Sequence, residues 1–172
     1  MKQSIIKLSK YEKLFLKSVI KNGNKSDAEI ARETGMSKAT ANRIRKDLEK
    51  RNIILQYMPL VDLDRMSINI FMIVLFHWKG YKDEKLTQAM INDLEKDLHV
   101  AFLASGEGSG YTHVLFLGFH DLSQAHVYFN KFRMKYENEI ENMVSFFIPS
   151  NEIRKQDYTD LVKYALEEKK II

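Results

Sequence analysis

The sequence predicts an α+β protein with a helical N-terminal third, a larger mixed part and a final helix. Three observations support this division. Helix-capping signals occur three times before residue 40. From residue 67 onward, apolar stretches of strand length alternate with segments of helical spacing. The charge changes at the same boundary, because residues 1–66 carry 15 Lys and Arg against 8 Asp and Glu, whereas residues 67–172 carry 12 against 15.

The composition excludes several classes of protein. With 45% hydrophobic and 11% aromatic residues in a chain of 172, there is enough apolar material for a packed core. The absence of cysteine excludes disulfides, thiolate zinc sites and cysteine nucleophiles. No apolar run approaches the ~20 residues that a membrane-spanning helix needs, and the first residues lack a signal-peptide pattern. We therefore expect a cytoplasmic protein with no membrane partner.

Two capping boxes and a third cap predict three helices in the basic third. Ser9 with Glu12, and Ser26 with Glu29, have the spacing in which a serine and a glutamate each satisfy a free backbone N–H. Ser37 caps the third helix directly after a tight glycine turn. Short helices with such connections are typical of a helix-turn-helix, although a plain three-helix bundle would contain the same elements.

The third helix, predicted over residues 37–51, has an apolar face and a cationic face. Ala41, Ile44 and Leu48 form the apolar stripe. The other face suits a DNA major groove, because arginine pairs with guanine, asparagine pairs with adenine and alanine permits close approach. The residues that we assign to DNA contact are Ser37, Lys38, Ala39, Thr40, Asn42, Arg43, Arg45 and Lys46.

Within this set we expect two kinds of contact. Base edges are reached from the centre of the helix face, and phosphates are reached from the first turn and from flanking cations. A merely solvated face is the alternative, but such a face usually mixes acids among its cations. The base-facing or groove-facing residues are Asn42, Arg43 and Lys46, and the phosphate-facing residues are Lys38, Thr40 and Arg45.

A wing is predicted after the third helix. Asn52 stands where a residue following a helix must adopt a left-handed conformation, which is usually a position for glycine. Residues 53–64 then have the pattern of two short β segments near Pro59. The N-terminal part is therefore predicted to be a winged helix-turn-helix domain.

The remainder has the order β-α-β-β-α-β, which is the ferredoxin-like arrangement. The first strand is apolar on both faces, as expected either for a central parallel strand or for a strand whose outer face meets a partner subunit. Because helices cover only one face of such a sheet, we expect a second copy to cover the other face in a two-fold dimer. The predicted elements are Ser67–Lys79, Asp83–Leu98, Val100–Ser105, Tyr111–Phe119, Leu122–Tyr136 and Met143–Ile148.

Taken together, these stretches resemble the Lrp/AsnC (feast/famine) transcriptional regulators over roughly residues 8–150. The resemblance rests on LSKYEKLFLKSVIKNG, SDAEIARETGMSKATANRIRKDLEKRNII, the linker LQYMPLVDLDRM and the α+β part. It implies a DNA-binding winged helix-turn-helix and a ligand-sensing α+β domain that forms dimers or higher homo-oligomers. The chain departs from the family pattern at Asn52, at Arg45 in place of an apolar core residue, and in a reduced ligand-domain motif at residues 110–113.

The glycine-rich segment before Tyr111 has three interpretations. Gly106, Gly108 and Gly110 superficially match a phosphate-binding loop, but a strand follows them instead of the helix that such a loop opens. A hairpin turn is the simplest interpretation. The resemblance implies instead a pocket for a small-molecule effector such as an amino acid, which would involve the three glycines and Tyr111.

No pattern indicates catalysis, a cofactor or a metal site. The sequence lacks a Gly-x-Ser-x-Gly elbow, a Walker loop and an HExxH helix. The five histidines have no metal-ligand spacing; His113 and His120, for example, are seven residues apart, an odd offset that places them on opposite faces of a strand. We therefore predict a protein that is not an enzyme.

The predicted function is that of a homodimeric, sequence-specific transcriptional regulator that binds double-stranded DNA. Two alternatives stay open. The α+β part could be a small-molecule-binding or enzymatic module that the helical half assembles, or the basic part could belong to an architectural protein without sequence preference. We expect domains at 1–64 and 65–150 and a C-terminal helical extension at 151–172. The apolar side of that extension is predicted to consist of Leu161, Tyr164 and Ala165.

Overall fold

A computed structural model describes residues 7–20, 22–80, 83–155 and 157–167. Contacts divide the chain into two compact units, one formed by residues 1–60 with 156–172 and the other by residues 61–155. Within the described residues, no helix is both long and apolar enough to cross a membrane. The elements in chain order are α1 (Lys10–Val19), α2 (Asp27–Thr34), α3 (Lys38–Lys50), β1 (Ile70–Trp78), α4 (Glu84–Glu95), β2 (Val100–Gly108), β3 (Tyr111–Phe119), α5 (Leu122–Lys135), β4 (Ile140–Pro149) and α6 (Thr159–Glu167).

The first unit contains the helix-turn-helix, and the predicted helix ends are confirmed. Ser9 and Ser26 each accept a hydrogen bond from the backbone N–H of the glutamate three residues later, whose side chain accepts one in return. Gly35 ends α2 with a φ of 71°, which glycine adopts without steric cost. Asn52 takes the predicted left-handed conformation, with a φ of 53°.

The three helices meet in one apolar core. Phe15 of α1, Ile30 of α2 and Leu48 of α3 are fully buried there. The predicted stripe of α3 is confirmed, since Ala41 and Ile44 are buried beside Leu48. Burial of large apolar side chains stabilises the unit by about 1.5–3 kcal/mol each. The core thereby fixes which face of α3 points outward.

The prediction of two β segments over residues 53–64 is wrong. Residues 53–64 form no strand, and Ile53, Ile54 and Tyr57 instead pack against the helix-turn-helix core. Leu55, between them, is exposed. The apolar and polar residues that suggested β segments therefore belong to an irregular linker that is anchored through some of its side chains.

The C-terminal helix α6 packs on α1 through a different face from the one predicted. Leu166 is only 6% exposed and joins the helix-turn-helix core together with Val162. Leu161 and Tyr164, which were assigned to the apolar side, are 64% and 60% exposed, and Ala165 is exposed as well. Two lysines of α1 bond to the end of α6. The helix therefore completes the core of the first unit.

The second unit is a four-stranded antiparallel sheet with the strand order β2-β3-β1-β4. This order confirms the β-α-β-β-α-β prediction and excludes the parallel interpretation of β1. Helices α4 and α5 cover one face, where Met72, Val74, Phe76 and Trp78 of β1 are buried. Helix α4 contributes Met90 to this core.

The other face of the sheet is apolar and uncovered among the described residues. Phe146 of β4 is 66% exposed, Phe102 of β2 is 48% exposed, and Phe116 of β3 stacks on Phe71 of β1 at 5.0 Å. The registers put all these side chains on the face opposite α4 and α5, since Phe102 pairs with Phe116 and Phe146 pairs with Ile73. We call this surface the outer face. Its other apolar members are Leu75, Ala104, Val114, Val144 and Ile148.

Candidate nucleic-acid interface

Helix α3 begins at a cap that uses two of the predicted contact residues. The Ser37 hydroxyl accepts a hydrogen bond from the Thr40 backbone N–H at 3.0 Å, and the two side-chain hydroxyls lie 2.9 Å apart. The cap satisfies one of the free N–H groups in the first turn. The positive end of the helix dipole adds to the positive charge there. This end of α3 suits a phosphate.

Four predicted contact residues lie on the exposed side of α3. Lys38, Ala39, Arg43 and Lys46 are all exposed. Among the described residues, none of the three cations forms a salt bridge with an acid, although the charge of Lys38 helps to lower the pKa of Asp27. The small side chain of Ala39 leaves the helix backbone accessible beside them. We call Lys38, Arg43 and Lys46, with Ala39, the cationic face.

Asn42 and Arg45 lie closer to the protein than the sequence suggested. The Asn42 amide nitrogen donates to Asp27 Oδ2 at 2.7 Å, and Arg45 Nε donates to Asp27 Oδ1 at 2.7 Å. Arg45 Nη2 donates to the backbone carbonyl of Lys25 at 2.8 Å. Both α3 side chains are half-buried. They therefore bind α2 and the loop before it.

The guanidinium of Arg45 also lies between two aromatic rings. Its central carbon is 5.3 Å from the ring centre of Phe15 and 5.2 Å from that of Tyr57. The Arg45 side chain is only 18% exposed. The structure gives Arg45, for which a phosphate contact is predicted, an internal position in which the stem and planar head lie between α1, α2 and the linker. The positive charge of Arg45 is tolerated in this position because the Asp27 carboxylate lies next to it.

Sequence reasoning did not identify Asp27 as a member of this site. Its side chain is 14% exposed and lies against α3. Burial raises the pKa of Asp27, but hydrogen bonds from Asn42 and Arg45 outweigh it and hold the pKa below its ordinary value. The only sequence signal is its position in the first turn of α2, where acids favour the helix dipole.

The other end of α3 is held by a second ionic cluster. Arg51 follows α3 and pairs with Glu12 of α1 and, at 2.7 Å, with Asp47 of α3 itself. Burial raises the pKa of Glu12, but bonds from Ser9 and Arg51 outweigh it and lower the pKa. Helix α3 is thus tied to α2 through Asp27 and to α1 through Glu12.

The candidate effector residues lie around the hairpin between β2 and β3. Gly106 and Gly108 belong to β2, and the turn itself is confined to Ser109 and Gly110, with φ values of 51° and 80°. The residues from Gly106 to Thr112 line a cleft of about 390 Å³ together with His77. Tyr111 is half-buried beside it. The strand is therefore longer, and the turn shorter, than the sequence predicted.

The described residues give no support to metal binding or to a nucleophile–base pair. No group of three or more potential ligands among them could hold a metal ion. His113 pairs across the strands with Ser105, but its Nδ1 lies 2.9 Å from the Thr112 hydroxyl. Burial lowers the pKa of His113, and the charge of His77 lowers it further. The imidazole packs against the ring of Phe76.

Both units have counterparts among known proteins. Residues 11–54 match the winged helix-turn-helix DNA-binding family. No curated protein matches the chain. A Neisseria meningitidis transcriptional regulator, solved in complex with L-Met, superposes with a TM-score of 0.76 at 18% identity, covering 89% of this chain and 96% of that one.

Two further solved structures have a similar fold. An AsnC family transcriptional regulator from Agrobacterium tumefaciens gives a TM-score of 0.76 at 15% identity, covering 87% of this chain and 94% of that one. LrpC of Bacillus subtilis gives 0.71 at 20% identity, covering 87% and 100%. The chain therefore has the fold of the Lrp/AsnC transcriptional regulators, which confirms the resemblance and gives no support to the enzymatic alternative.

Proposed function

We propose that this chain is a homodimeric, sequence-specific transcriptional regulator that binds double-stranded DNA. The observation that carries the proposal is the cationic face of α3, on which Lys38, Arg43 and Lys46 are exposed beside a capped helix N-terminus. Such a face, on the second helix of a helix-turn-helix, has the length and charge to enter a major groove. The family match of residues 11–54 supports the same function.

The roles within the interface follow from exposure and chemistry. Arg43 is long and exposed, and a guanidinium pairs with two acceptors of guanine. Lys46 lies one turn further along the same side and extends the groove contact. Lys38 and the backbone of the first turn, including Ser37, Ala39 and Thr40, contact phosphate.

The dimer forms through the outer face of the sheet. A single exposed apolar residue needs no explanation, but this face joins exposed apolar side chains from β2 and β4 to a half-buried centre. A second copy offers the same face, and two such faces bury one another in an isologous, two-fold contact. Two recognition helices then read two half-sites of a pseudo-palindromic operator, one helical turn or a multiple of it apart.

An effector site is proposed at the cleft around the β2–β3 hairpin. The cleft combines exposed backbone of Gly106, Gly108 and Gly110 with the Glu107 carboxylate and the half-buried ring of Tyr111. The Neisseria regulator with this fold was solved with L-Met, and an amino acid is the effector class that we expect here. Thermal-shift measurements with individual amino acids test this, with Tyr111→Ala as the variant that abolishes the shift.

The DNA-binding proposal is tested by fluorescence-anisotropy titration. One labelled duplex is taken from upstream of the protein's own gene and the other is a shuffled version of it, and both are titrated at several salt concentrations. We expect affinity to fall with salt, because each phosphate contact releases counterions, and we expect the upstream duplex to bind more tightly.

The two contrary outcomes lead to different conclusions. A steep salt dependence with no preference among a library of duplexes would identify an architectural protein. Absence of binding to either duplex at low salt would contradict the interpretation of α3 as a recognition helix, and would leave the α+β unit as the active part.

A further inference from the structure

Asp27 of α2 is the one carboxylate that contacts the side chains of two α3 residues among the described hydrogen bonds. Oδ2 accepts from the amide nitrogen of Asn42 and Oδ1 accepts from Nε of Arg45, each at 2.7 Å. Each oxygen therefore serves a different residue of the recognition helix. With its side chain 14% exposed, Asp27 has little freedom to turn toward water.

The contact with Asp27 determines the orientation of the Asn42 amide. An ionised carboxylate only accepts hydrogen bonds, so the NH₂ group of Asn42 must face it. The Asn42 carbonyl oxygen must then point away from Asp27, and one N–H remains for a further partner. A flipped amide would place two acceptors against each other. The structure therefore gives Asn42 one orientation.

Asn42 occupies the middle of a row of polar side chains along α3. Lys38, Asn42 and Lys46 are spaced by four residues along α3, which aligns them on one side of the helix. The two lysines are exposed and Asn42 is half-buried between them. An amide in this place can bond to adenine in the major groove. Its carbonyl oxygen accepts a hydrogen bond from the N6 amino group, and its free N–H donates one to N7.

Arg45 keeps Asp27 in position and cancels its charge. It donates to Asp27 and to the carbonyl of Lys25, and it lies between the rings of Phe15 and Tyr57. An unpaired carboxylate this near the cationic face would repel DNA phosphates. Because Arg45 neutralises Asp27, this acid can contact the recognition helix without weakening DNA binding.

We infer that Asp27 is a positioning residue for sequence readout, which fixes the Asn42 amide so that it recognises one base pair, an A·T pair, in the major groove. The inference rests on the proposed function. Asp27 does not touch DNA in this account, and its influence passes through Asn42. The sequence preference at one base pair therefore depends on a residue outside the recognition helix.

The test measures discrimination at a single base pair. A preferred duplex is selected from a random library, and each position is then replaced by the other three base pairs. Asn42→Ala is expected to reduce discrimination at one position by roughly 5- to 150-fold, the range for a good bidentate pair. Asp27→Asn keeps the size of the side chain but can present either an oxygen or an NH₂ group, so we expect a roughly fivefold or larger loss at the same position.

Two further variants separate positioning from folding. Asp27→Asn leaves Arg45 without its acid, so the double variant Asp27→Asn, Arg45→Met replaces the unpaired cation with a flexible apolar side chain that fits between the rings. Asp47→Asn is the matched control, because Asp47 is an acid of α3 whose partner is Arg51. We expect the double variant to lose the same discrimination as Asp27→Asn, and the control to keep it.

A double-mutant cycle gives the decisive comparison. If Asp27 acts through Asn42, Asp27→Asn changes nothing further at that base pair once Asn42 is alanine. The inference is overturned if Asp27→Asn or Asn42→Ala leaves discrimination at every base pair unchanged, or if Asp27→Asn has an equal effect in both backgrounds. Wild-type protein without any sequence preference would overturn the proposed function as well, so the two failures are distinguishable.

Discussion

The two units of this chain leave opposite kinds of surface uncovered. In the first unit the exposed side of α3 carries Lys38, Arg43 and Lys46, none of which forms a salt bridge among the described residues. In the second unit the outer face of the sheet carries apolar side chains such as Phe102 and Phe146. Water solvates the first surface well and the second poorly.

This difference separates two kinds of partner. An exposed cationic face gains most from a polyanion, whose condensed counterions are released on binding. An exposed apolar face gains most from another apolar face of matching shape, and a second copy of the same sheet provides one. Substitutions on the cationic face are therefore expected to change DNA binding, and substitutions on the outer face are expected to change assembly.

The largest effect is expected on the stability of the first unit, whose core is completed by helix α6. Leu166→Ala removes a side chain that is 6% exposed from the core shared by α1 and α6, and it should lower the free energy of unfolding by about 2–5 kcal/mol. Leu161→Ala on the same helix, 64% exposed, is the control and should cost less than about 0.5 kcal/mol. Hydrogen exchange of α1 and α3 peptides measures both. Equal protection in the two variants would show that α6 does not stabilise this unit.

The next effect concerns assembly through the apolar surface. Phe146→Asp places a charge on the outer face and should weaken the dimer by about 2–4 kcal/mol, which is the loss typical of a hot-spot residue. Met134→Asp is the matched control, since Met134 is 72% exposed on α5, on the helical side of the sheet. Sedimentation equilibrium gives the dissociation constants. A dimer that survives Phe146→Asp unchanged would place the interface elsewhere.

A smaller effect separates base contacts from phosphate contacts within the cationic face. Arg43→Ala should cost about 1–3 kcal/mol on the preferred duplex and relax the preference at one base position. Lys38→Ala should weaken binding to all duplexes alike and reduce the slope of log K against log salt by about 1. Anisotropy titrations on preferred and shuffled DNA provide both quantities. A uniform loss for Arg43→Ala would contradict its assignment to bases.

The smallest effect is on the pH dependence of stability. The folded-state pKa of Asp27 lies below its ordinary value of 3.8, so its stabilising contribution is complete above that value and is lost as pH falls through the lowered pKa. The stability of Asp27→Asn should therefore fall less steeply than that of wild type below about pH 4. Urea unfolding midpoints between pH 3 and 6 measure the slope. Parallel curves would mean that Asp27 is not ionised in a stabilising contact.

Local rules predicted the helix boundaries well. The capping boxes at Ser9 and Ser26, the turn at Gly35 and the left-handed Asn52 depend on residues within four positions of one another. The order of strands and helices in the second unit likewise followed from alternation and spacing. These features could be predicted because their causes are close in sequence.

Features that depend on distant residues could not be predicted in this way. Arg45 has the side chain of a phosphate contact, and its inward position depends on Asp27, 18 residues earlier, and on the rings of Phe15 and Tyr57. The only sign of that position was the resemblance, which places Arg45 where the family has an apolar core residue. The two β segments predicted after α3 are absent because Ile53 and Tyr57 contribute to the core from an irregular segment. In α6 the sequence pattern indicated the side with Leu161 and Tyr164, whereas the packing on α1 buries the side that contains Leu166.

The most direct test of the whole account is a hydroxyl-radical footprint of the wild-type protein on its preferred duplex. The two surfaces together predict two protected patches on one side of the DNA, about 10–10.5 base pairs apart or at a multiple of that spacing, because a two-fold dimer presents two recognition helices. One unrepeated patch, or uniform protection without spacing, would contradict the combination of a groove-binding α3 with a dimer formed through the sheet.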